Sequence, residues 1–373
     1  MSSLFHPLCG SDLGTLVRLF TQNGSIAPQK LPQAAIALAF TLLRYPFSTF
    51  EQVFFHLTQG QRQPIESPIF IVGYWRSGTT HLHNLLSKDP QFGYISPLAT
   101  GLPWDILGIV RTLEPLLKQA LPSDRYIDNV AVTPDSPQED SIALASMVPI
   151  SYYHGLYFPQ RFVEHFRRGV FFEGCSAAEI EQWRQGHVHL LEKVSMHQQG
   201  KRLLIKNPVY TGHINKLRSI WSDAKFIHIY RNPYTVLQST RHFFTALLPE
   251  LSFQSYDLQD ADQLPIDALI LESYSRLMQA LLEDSATLPP HHFVEIKFED
   301  LEANPMQAIE QIYQTLELSG LEQARPQFEH YLSGLTGYRK NRYPFDPDTI
   351  QLVEAHWQPF IDRWGYAPPV ALL

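Results

Sequence analysis

The sequence predicts an α/β fold with a central parallel sheet flanked by helices, in three layers, preceded by an N-terminal helical extension. Two observations support this prediction. A short run of β-branched and aromatic residues, Ile69–Val72, leads into a glycine-bracketed loop and then into leucines at helical spacing. Further on, a strand at 203–205, a helix at 212–221 and a buried strand at 225–230 follow one another, and this order favours parallel pairing.

Length and composition set the scale of this fold. The chain has 373 residues, 44% of them hydrophobic, enough for one large α/β domain with additions or for two smaller ones. Its net charge of −8 argues against a nucleic-acid partner, so an anion site requires a local concentration of arginine and lysine. Cys9 and Cys175 stand in no metal or redox spacing, and the histidines show no ligand pattern, so we expect no metal site and a reducing compartment.

The N-terminal extension covers residues 1–66 and contains two or three helical segments broken at prolines such as Pro46. No secretory signal opens it, and we therefore expect a cytoplasmic protein. The stretch 31–47 is apolar but too short and too interrupted to span a bilayer. Packing against the core is the favoured interpretation of this stretch, and a peripheral membrane contact is the alternative.

The loop after the first strand has the composition of an anion-binding loop. Gly73 and Gly78 permit its backbone turns, and the start of the following helix adds free N–H groups. Arg76 adds a full charge and a planar fork of donors. Hydroxyl donors come from Ser77, Thr79 and Thr80. The spacing predicts a P-loop-type fold, but Thr79 occupies the position of the triphosphate-binding lysine, which argues for an anion shorter than that of ATP or GTP.

The segment Arg76-Ser77-Gly78-Thr79-Thr80 resembles the 5′-phosphosulfate loop of sulfotransferases that use PAPS (3′-phosphoadenosine 5′-phosphosulfate). It is most similar to the bacterial branch, which carries arginine in this loop. The resemblance extends over about residues 65–365. It implies a sulfotransferase-like P-loop α/β domain at 67–373 with a helical insertion at about 100–200. It also implies PAPS as co-substrate, PAP (the 3′,5′-bisphosphate) as product, and no metal requirement.

Later motifs supply the second half of such a site. Arg231 stands at the carboxyl end of the 225–230 strand, where open α/β sheets bind ligands, and Ser239 follows in the next helix. This pair resembles the sulfotransferase element that grips the 3′-phosphate of PAPS, a group that ATP lacks. In this family a basic C-terminal segment closes over the cofactor, which makes Arg339 and Lys340 candidates for the same phosphate. Phe298 replaces the tyrosine usual near the adenine, so a phenol hydrogen bond is lost there.

Sulfuryl transfer requires in-line attack on sulfur while negative charge builds on the leaving 5′-phosphate. Arg76 and Lys206, which ends the strand at 203–205, would neutralise this charge. An alcohol acceptor also needs a general base. The candidates, in order of preference, are Glu139, Asp140 and His213. Glu139 and Asp140 could instead be charges placed to suit a helix dipole.

The sequence therefore predicts a PAPS-dependent sulfotransferase (EC 2.8.2) acting on a hydroxyl or amine acceptor. One alternative is a P-loop kinase or nucleotide hydrolase, which needs a triphosphate lysine and a Mg²⁺-binding aspartate. Another is a non-catalytic module that retains the nucleotide site. Apolar and aromatic stretches at 102–121 and 150–160 favour a hydrophobic small-molecule, lipid or glycan acceptor. The oligomeric state is left open.

Overall fold

The chain divides into two compact units, each described here by itself. A computed structural model describes residues 6–58, 64–119, 135–335 and 345–369. The helical unit comprises Met1–Ile65, Gly93–Lys201 and Thr245–Pro265, and the sheet unit comprises Glu66–Phe92, Arg202–Phe244 and Ile266–Leu373. The residues predicted as an insertion, at about 100–200, thus belong to the same unit as the N-terminal residues.

The sheet has five strands. In chain order these are β1 (Ile69–Val72), β2 (Phe92–Gly93), β3 (Arg202–Lys206), β4 (Lys225–Tyr230) and β5 (Phe293–Lys297). Their spatial order is β2-β3-β1-β4-β5. Strand β1 pairs in parallel with β3 and with β4, and β4 pairs in parallel with β5, which confirms the predicted α/β fold with a central parallel sheet. Because β1 lies between β3 and β4, the ends of all three strands meet at one edge, where such sheets bind ligands.

The helices are numbered in chain order. They are α1 (Leu13–Gln22), α2 (Leu31–Leu57), α3 (Thr79–Leu86), α4 (Pro97–Gly101), α5 (Arg111–Gln119), α6 (Asp140–Leu144), α7 (Tyr153–Tyr157), α8 (Phe162–Phe171), α9 (Ala177–His197), α10 (Ile214–Arg218), α11 (Pro233–Leu251), α12 (Ile266–Ser285), α13 (Phe298–Ala303), α14 (Pro305–Thr315), α15 (Leu321–Ser333) and α16 (Pro347–Trp364).

The core of the sheet unit follows the predicted pattern. Every residue of β1 is buried, and the α3 leucines, Leu82, Leu85 and Leu86, pack against the same face of the sheet as Ile69. Helix α10 has five residues, fewer than the predicted helix at 212–221, and the apolar stretch at 102–121 contains a π-helical turn followed by α5. Local periodicity does not fix where helices end when tertiary contacts compete with it.

Helix α2 departs from two expectations. It continues through Pro46, so the predicted break there was wrong. Arg44 and Ser48, on either side of this proline, both bond Asp105: Arg44 forms an ion pair with it, and the Ser48 hydroxyl donates to its carboxylate at 2.6 Å. These tertiary contacts offset the backbone hydrogen bond that proline removes. The core-packing interpretation of 31–47 holds only in part: Ala34 and Ala37 are buried, whereas large apolar side chains such as Leu43 and Phe47 are exposed.

Three buried histidines of the helical unit make its stability depend on pH. Burial lowers the pKa of His6, His154 and His165 from 6.5 to about 3. The unfolded chain therefore binds more protons below pH 6.5, and stability that is complete above this pH is lost as the pH falls toward 3.

We expect the free energy of unfolding to fall by roughly 1 kcal/mol for each of these histidines between about pH 7.5 and about pH 5.5. Urea denaturation at the two pH values measures this loss. In a His154→Gln variant the pH dependence should shrink by roughly one third, because one of the three groups no longer titrates. Equal stability of the unaltered chain at both pH values would contradict the assignment of these side chains as neutral in the folded state.

Candidate functional site

The loop between β1 and α3 adopts the backbone that its glycines predict. Gly73 has φ 144° and Gly78 has φ 96°. A Cβ atom at Gly73 would lie 2.2 Å from the carbonyl oxygen of Ile229, and one at Gly78 would lie 2.2 Å from the Phe298 ring. Both positions thus require glycine for conformation and for space. Arg76 also has a positive φ, 67°, a costly conformation for a non-glycine residue that is typical of functional loops.

Buried polar contacts hold this loop in place. The Gly73 N–H donates to the Thr211 hydroxyl at 2.8 Å. The Tyr74 hydroxyl lies 2.8 Å from the Ser273 hydroxyl and donates to the carbonyl of Ile270 at 3.2 Å. Burial raises the pKa of Tyr74, so its phenol stays protonated as a donor. The sequence analysis did not identify Thr211, Ser273 or the Tyr74 hydroxyl as anchors of this loop.

The loop meets the second predicted motif directly. The Arg76 guanidinium donates through Nε to the Ser239 hydroxyl at 3.0 Å, although the two residues are 163 positions apart. Arg231 donates through Nη1 to the backbone carbonyl of Arg76 at 3.2 Å. Ser239 is buried on α11, and Arg231 follows β4, the strand beside β1. The structure thus brings Arg76, Arg231 and Ser239 together.

Phe298 has a role that the sequence did not indicate. It is the first residue of α13, and the Arg231 guanidinium carbon lies 4.4 Å from the centroid of its ring, in cation–π contact. The same ring fills the space in which a side chain at Gly78 would lie. The sequence interpretation noted only a lost phenol hydrogen bond. The structure shows a ring that supports Arg231 on one side and the loop on the other.

The ammonium group of Lys206 lies beside the start of α3. Lys206 ends β3, is 1% exposed, and its ammonium group donates to the Thr80 hydroxyl at 3.4 Å. Ser77 and Thr79, which precede Thr80 in the chain, are also buried. Helix α3 begins at Thr79 after a glycine cap, so its first N–H groups have no capping side chain at that position. A buried ammonium group and a helix start together favour an anion.

The three general-base candidates lie in different surroundings. His213 is buried between the turn Pro208–Gly212, which carries Thr211, and α10. Asp140 belongs to the helical unit, is fully buried, and lies 3.1 Å from Nε2 of the equally buried His187. Glu139, also in the helical unit, is the partly buried N-cap of α6 and accepts a hydrogen bond from the Ser141 hydroxyl at 3.2 Å.

Arg339 and Lys340 lie outside the described residues. Across residues 6–58, 64–119, 135–335 and 345–369, no group of three or more histidine, cysteine or acidic side chains is arranged to hold a metal ion. None of the helices in these ranges combines the length and the apolar character that crossing a bilayer requires.

Comparison with known proteins decides the family. Residues 68–323, more than half of the chain, match the model of the sulfotransferase family. The chain belongs to the sulfotransferase family. It is 27% identical over 358 residues to the omega-hydroxy-beta-dihydromenaquinone-9 sulfotransferase Stf3 of Mycobacterium bovis, with 96% of this chain and 90% of that protein covered. The Mycobacterium tuberculosis protein of the same name matches equally well.

Solved sulfotransferases share the fold. STF9 from Mycobacterium avium superimposes with a TM-score of 0.70 at 15% identity, covering 95% of this chain and 91% of that one. STF1 from Mycobacterium tuberculosis superimposes with a TM-score of 0.61 at 18% identity, covering 93% and 91%. The family assignment confirms the predicted sulfotransferase class of this chain and favours it over the kinase alternative.

Proposed function

We propose that this sulfotransferase uses PAPS as donor and transfers its sulfuryl group to the hydroxyl group of a lipophilic small molecule, releasing PAP. The observation that carries the proposal is the contact of Arg76 with Ser239 and of Arg231 with the Arg76 carbonyl. A single ligand with anionic groups at two positions, a 5′-phosphosulfate and a 3′-phosphate, accounts for two basic motifs that meet in this way.

The residues divide between the two ends of PAPS. We assign the 5′-phosphosulfate to the loop and the helix start, namely Arg76, Ser77, Gly78, Thr79 and Thr80. We assign the 3′-phosphate to Arg231 and Ser239, and to Arg339 and Lys340 of the C-terminal segment. Arg76, Lys206 and Arg231 concentrate positive charge in a chain whose net charge is −8, which supports a local anion site.

The chemical step forms one bond and breaks one. The acceptor oxygen attacks sulfur in line, the bond between sulfur and the bridging phosphate oxygen breaks, and the electron pair stays on the 5′-phosphate of PAP. Lys206 and Arg76 stabilise this developing charge, which appears only as the transition state is reached. The step needs no change of oxidation state, and the acceptor proton passes to a base.

We propose Glu139 or His213 as this base. Glu139 is only partly buried, so substrate could reach its carboxylate. His213 follows the turn whose Thr211 contacts the loop at Gly73. Asp140 is less suitable, because its full burial against His187 favours a structural role in the helical unit. The pH profile of kcat for Glu139→Gln and His213→Asn variants distinguishes the two candidates, because only replacement of the true base removes the corresponding limb of the profile.

The acceptor class rests on the relatives and on composition. The Stf3 proteins are named for a menaquinone, a lipid-like acceptor with a terminal hydroxyl group. The aromatic composition of residues 150–160 favours a hydrophobic acceptor as well, and in the structure Tyr153 and Phe158 of this stretch are buried, with Phe158 packed against Phe253. The cytoplasmic location expected from the sequence stays a prediction.

Isothermal titration of the protein with PAP, AMP and ATP tests the donor. PAP and AMP differ only in the 3′-phosphate, so their comparison isolates that group. We expect PAP to bind at least about 100-fold more tightly than AMP, because AMP lacks the phosphate that Arg231 and Ser239 would contact. ATP should bind more weakly than PAP, because the loop lacks the triphosphate lysine. ATP binding equal to or tighter than PAP binding would overturn the proposed donor.

A further inference from the structure

Helix α2 is amphipathic in the reverse sense, with polar residues facing the protein and apolar residues facing outward. Most of its buried residues are polar, namely Gln33, Thr41, Arg44, Ser48 and Glu51, and the others are Ala34, Ala37 and Phe55. Its exposed side carries large apolar residues, of which Leu43 is 69%, Phe50 74% and Leu57 78% exposed. A helix that packs against a core normally shows the opposite arrangement.

We define the apolar face of α2 by the large apolar side chains between Leu43 and Leu57 that are more than half exposed: Leu43, Tyr45, Phe47, Phe50, Val53 and Leu57. At about 100° per residue these side chains span an arc of about 200° around the helix axis. The only Asp, Glu, Lys or Arg residues of α2 are Arg44 and Glu51, and both are buried. The apolar face therefore contains none of these four residue types.

Fixed polar contacts set the rotation of the helix at Arg44. Arg44 forms an ion pair with the buried Asp105 and donates to the Ser11 carbonyl at 2.8 Å. The Ser48 hydroxyl, one turn later, donates to the same aspartate. Turning α2 to bury its leucines would leave these buried groups without partners, which is strongly unfavourable.

A second set of contacts fixes the same rotation at Glu51. This carboxylate forms an ion pair with the buried Lys193 and accepts the N–H groups of Leu107 at 3.1 Å and Gly108 at 2.6 Å. Lys193 also donates to the carbonyl of Trp104 at 2.8 Å. With Arg44 and Glu51 both held, the outward direction of the apolar face is a property of the folded helical unit.

We propose that the apolar face of α2 docks the protein onto the surface of a lipid bilayer, with the helix axis along the surface. The inference goes beyond the proposed function and does not depend on it. A lipid surface fits better than a second copy of the chain for two reasons. An arc of about 200° is wider than the stripe that one helix presents to a protein partner, whereas acyl chains and head groups conform around it. The absence of charged side chains on the face removes the complementary ion pairs that set register between protein partners.

Neighbouring side chains extend the same kind of surface. Leu113 and Leu116 are exposed on α5, which follows the turn Ile106–Val110 whose amide groups bond Glu51. These residues would bind the bilayer by apolar insertion. The affinity for the bilayer then comes from the buried hydrocarbon area and depends little on salt concentration. The net charge of −8 makes neutral bilayers better targets than anionic ones.

Flotation of the full chain with phosphatidylcholine vesicles tests the proposal without any nucleotide or acceptor. We expect the unaltered protein to float with the vesicles equally at about 0.1 M and about 1 M sodium chloride. A Leu43→Glu, Phe47→Glu, Phe50→Glu variant should partition at least about 100-fold less, because three insertable side chains become charged. The matched control, Val17→Glu, Met196→Glu, Leu258→Glu, adds the same charge at exposed apolar positions off α2 and should float like the unaltered protein.

Circular dichroism and PAP titration of each variant establish that it is folded. If the triple variant is unfolded, the single variants Leu43→Glu and Phe50→Glu provide the same test, each with about a tenfold loss. An unaltered protein that does not float overturns the proposal. So does a dimer in analytical ultracentrifugation that the triple variant dissociates without any change in flotation. Absence of PAP binding with normal flotation would overturn the proposed donor and leave the docking surface intact.

Discussion

Replacing Lys206 by methionine is expected to lower kcat for sulfuryl transfer by about 10³-fold, the upper range for losing one charge-stabilising group. The side chain is buried at the start of α3 and bonds Thr80 at a long distance of 3.4 Å. An ammonium group at this position can approach an oxygen that becomes charged at the helix start. Its effect on PAPS affinity should be only about tenfold, because this charge is absent from bound PAPS and develops on the way to the transition state.

Single-turnover kinetics at varied PAPS concentrations give both the maximal rate and the PAPS affinity, and so separate these two effects. Lys216→Met provides the matched control, since Lys216 lies exposed on α10 and the substitution removes the same charge. It should leave both quantities unchanged. If Lys206→Met lowered PAPS affinity by the same factor as kcat/KM and left kcat intact, Lys206 would serve binding and not the chemical step.

Replacing Arg231 by alanine is expected to weaken PAP binding by about 100-fold and AMP binding by less than about threefold, since one charge-assisted phosphate contact contributes about 3 kcal/mol in a partly buried site. Arg231 is held for this task by stacking on Phe298 and by its bond to the Arg76 carbonyl. A preorganised guanidinium loses little freedom on binding phosphate. Isothermal titration of both nucleotides measures the two affinities.

The comparison of PAP with AMP also tests the main alternative role for Arg231. If the variant lost affinity for both nucleotides equally, Arg231 would position the loop through Arg76 and would not read the 3′-phosphate. Arg276→Ala is the matched control, because Arg276 pairs with Glu272 on the exposed side of α12. Its titration curves should match those of the unaltered protein.

The sequence predicted those parts of the fold that depend on local pattern. The bounds of β1 and β4, the glycine-dependent loop and the last helix all agree with the structure, because each is marked by residues adjacent in the chain. The motifs that carry Arg76 and Ser239 were likewise visible. Their hydrogen bond was not, because it depends on β4 lying beside β1, and strand order is a property of the whole sheet.

The parts that could not be predicted depend on distant partners. Arg44 and Glu51 look like interruptions of an apolar helix until Asp105 and Lys193 are seen beside them, and these ion pairs decide which side of α2 is buried. Phe298 is similar. Its ring gains a role only from the two groups that flank it, Gly78 and the Arg231 guanidinium. Composition alone indicates neither contact.

The conversion of PAPS to PAP in the presence and absence of a lipid extract tests the central claim most directly. Water can replace the acceptor, so the protein alone should release PAP and sulfate slowly yet faster than buffer, and the extract should accelerate PAP release and yield an equal amount of sulfated lipid. The Lys206→Met variant should lose both activities. PAP formation no faster than in buffer under either condition, together with turnover of ATP, would contradict the account.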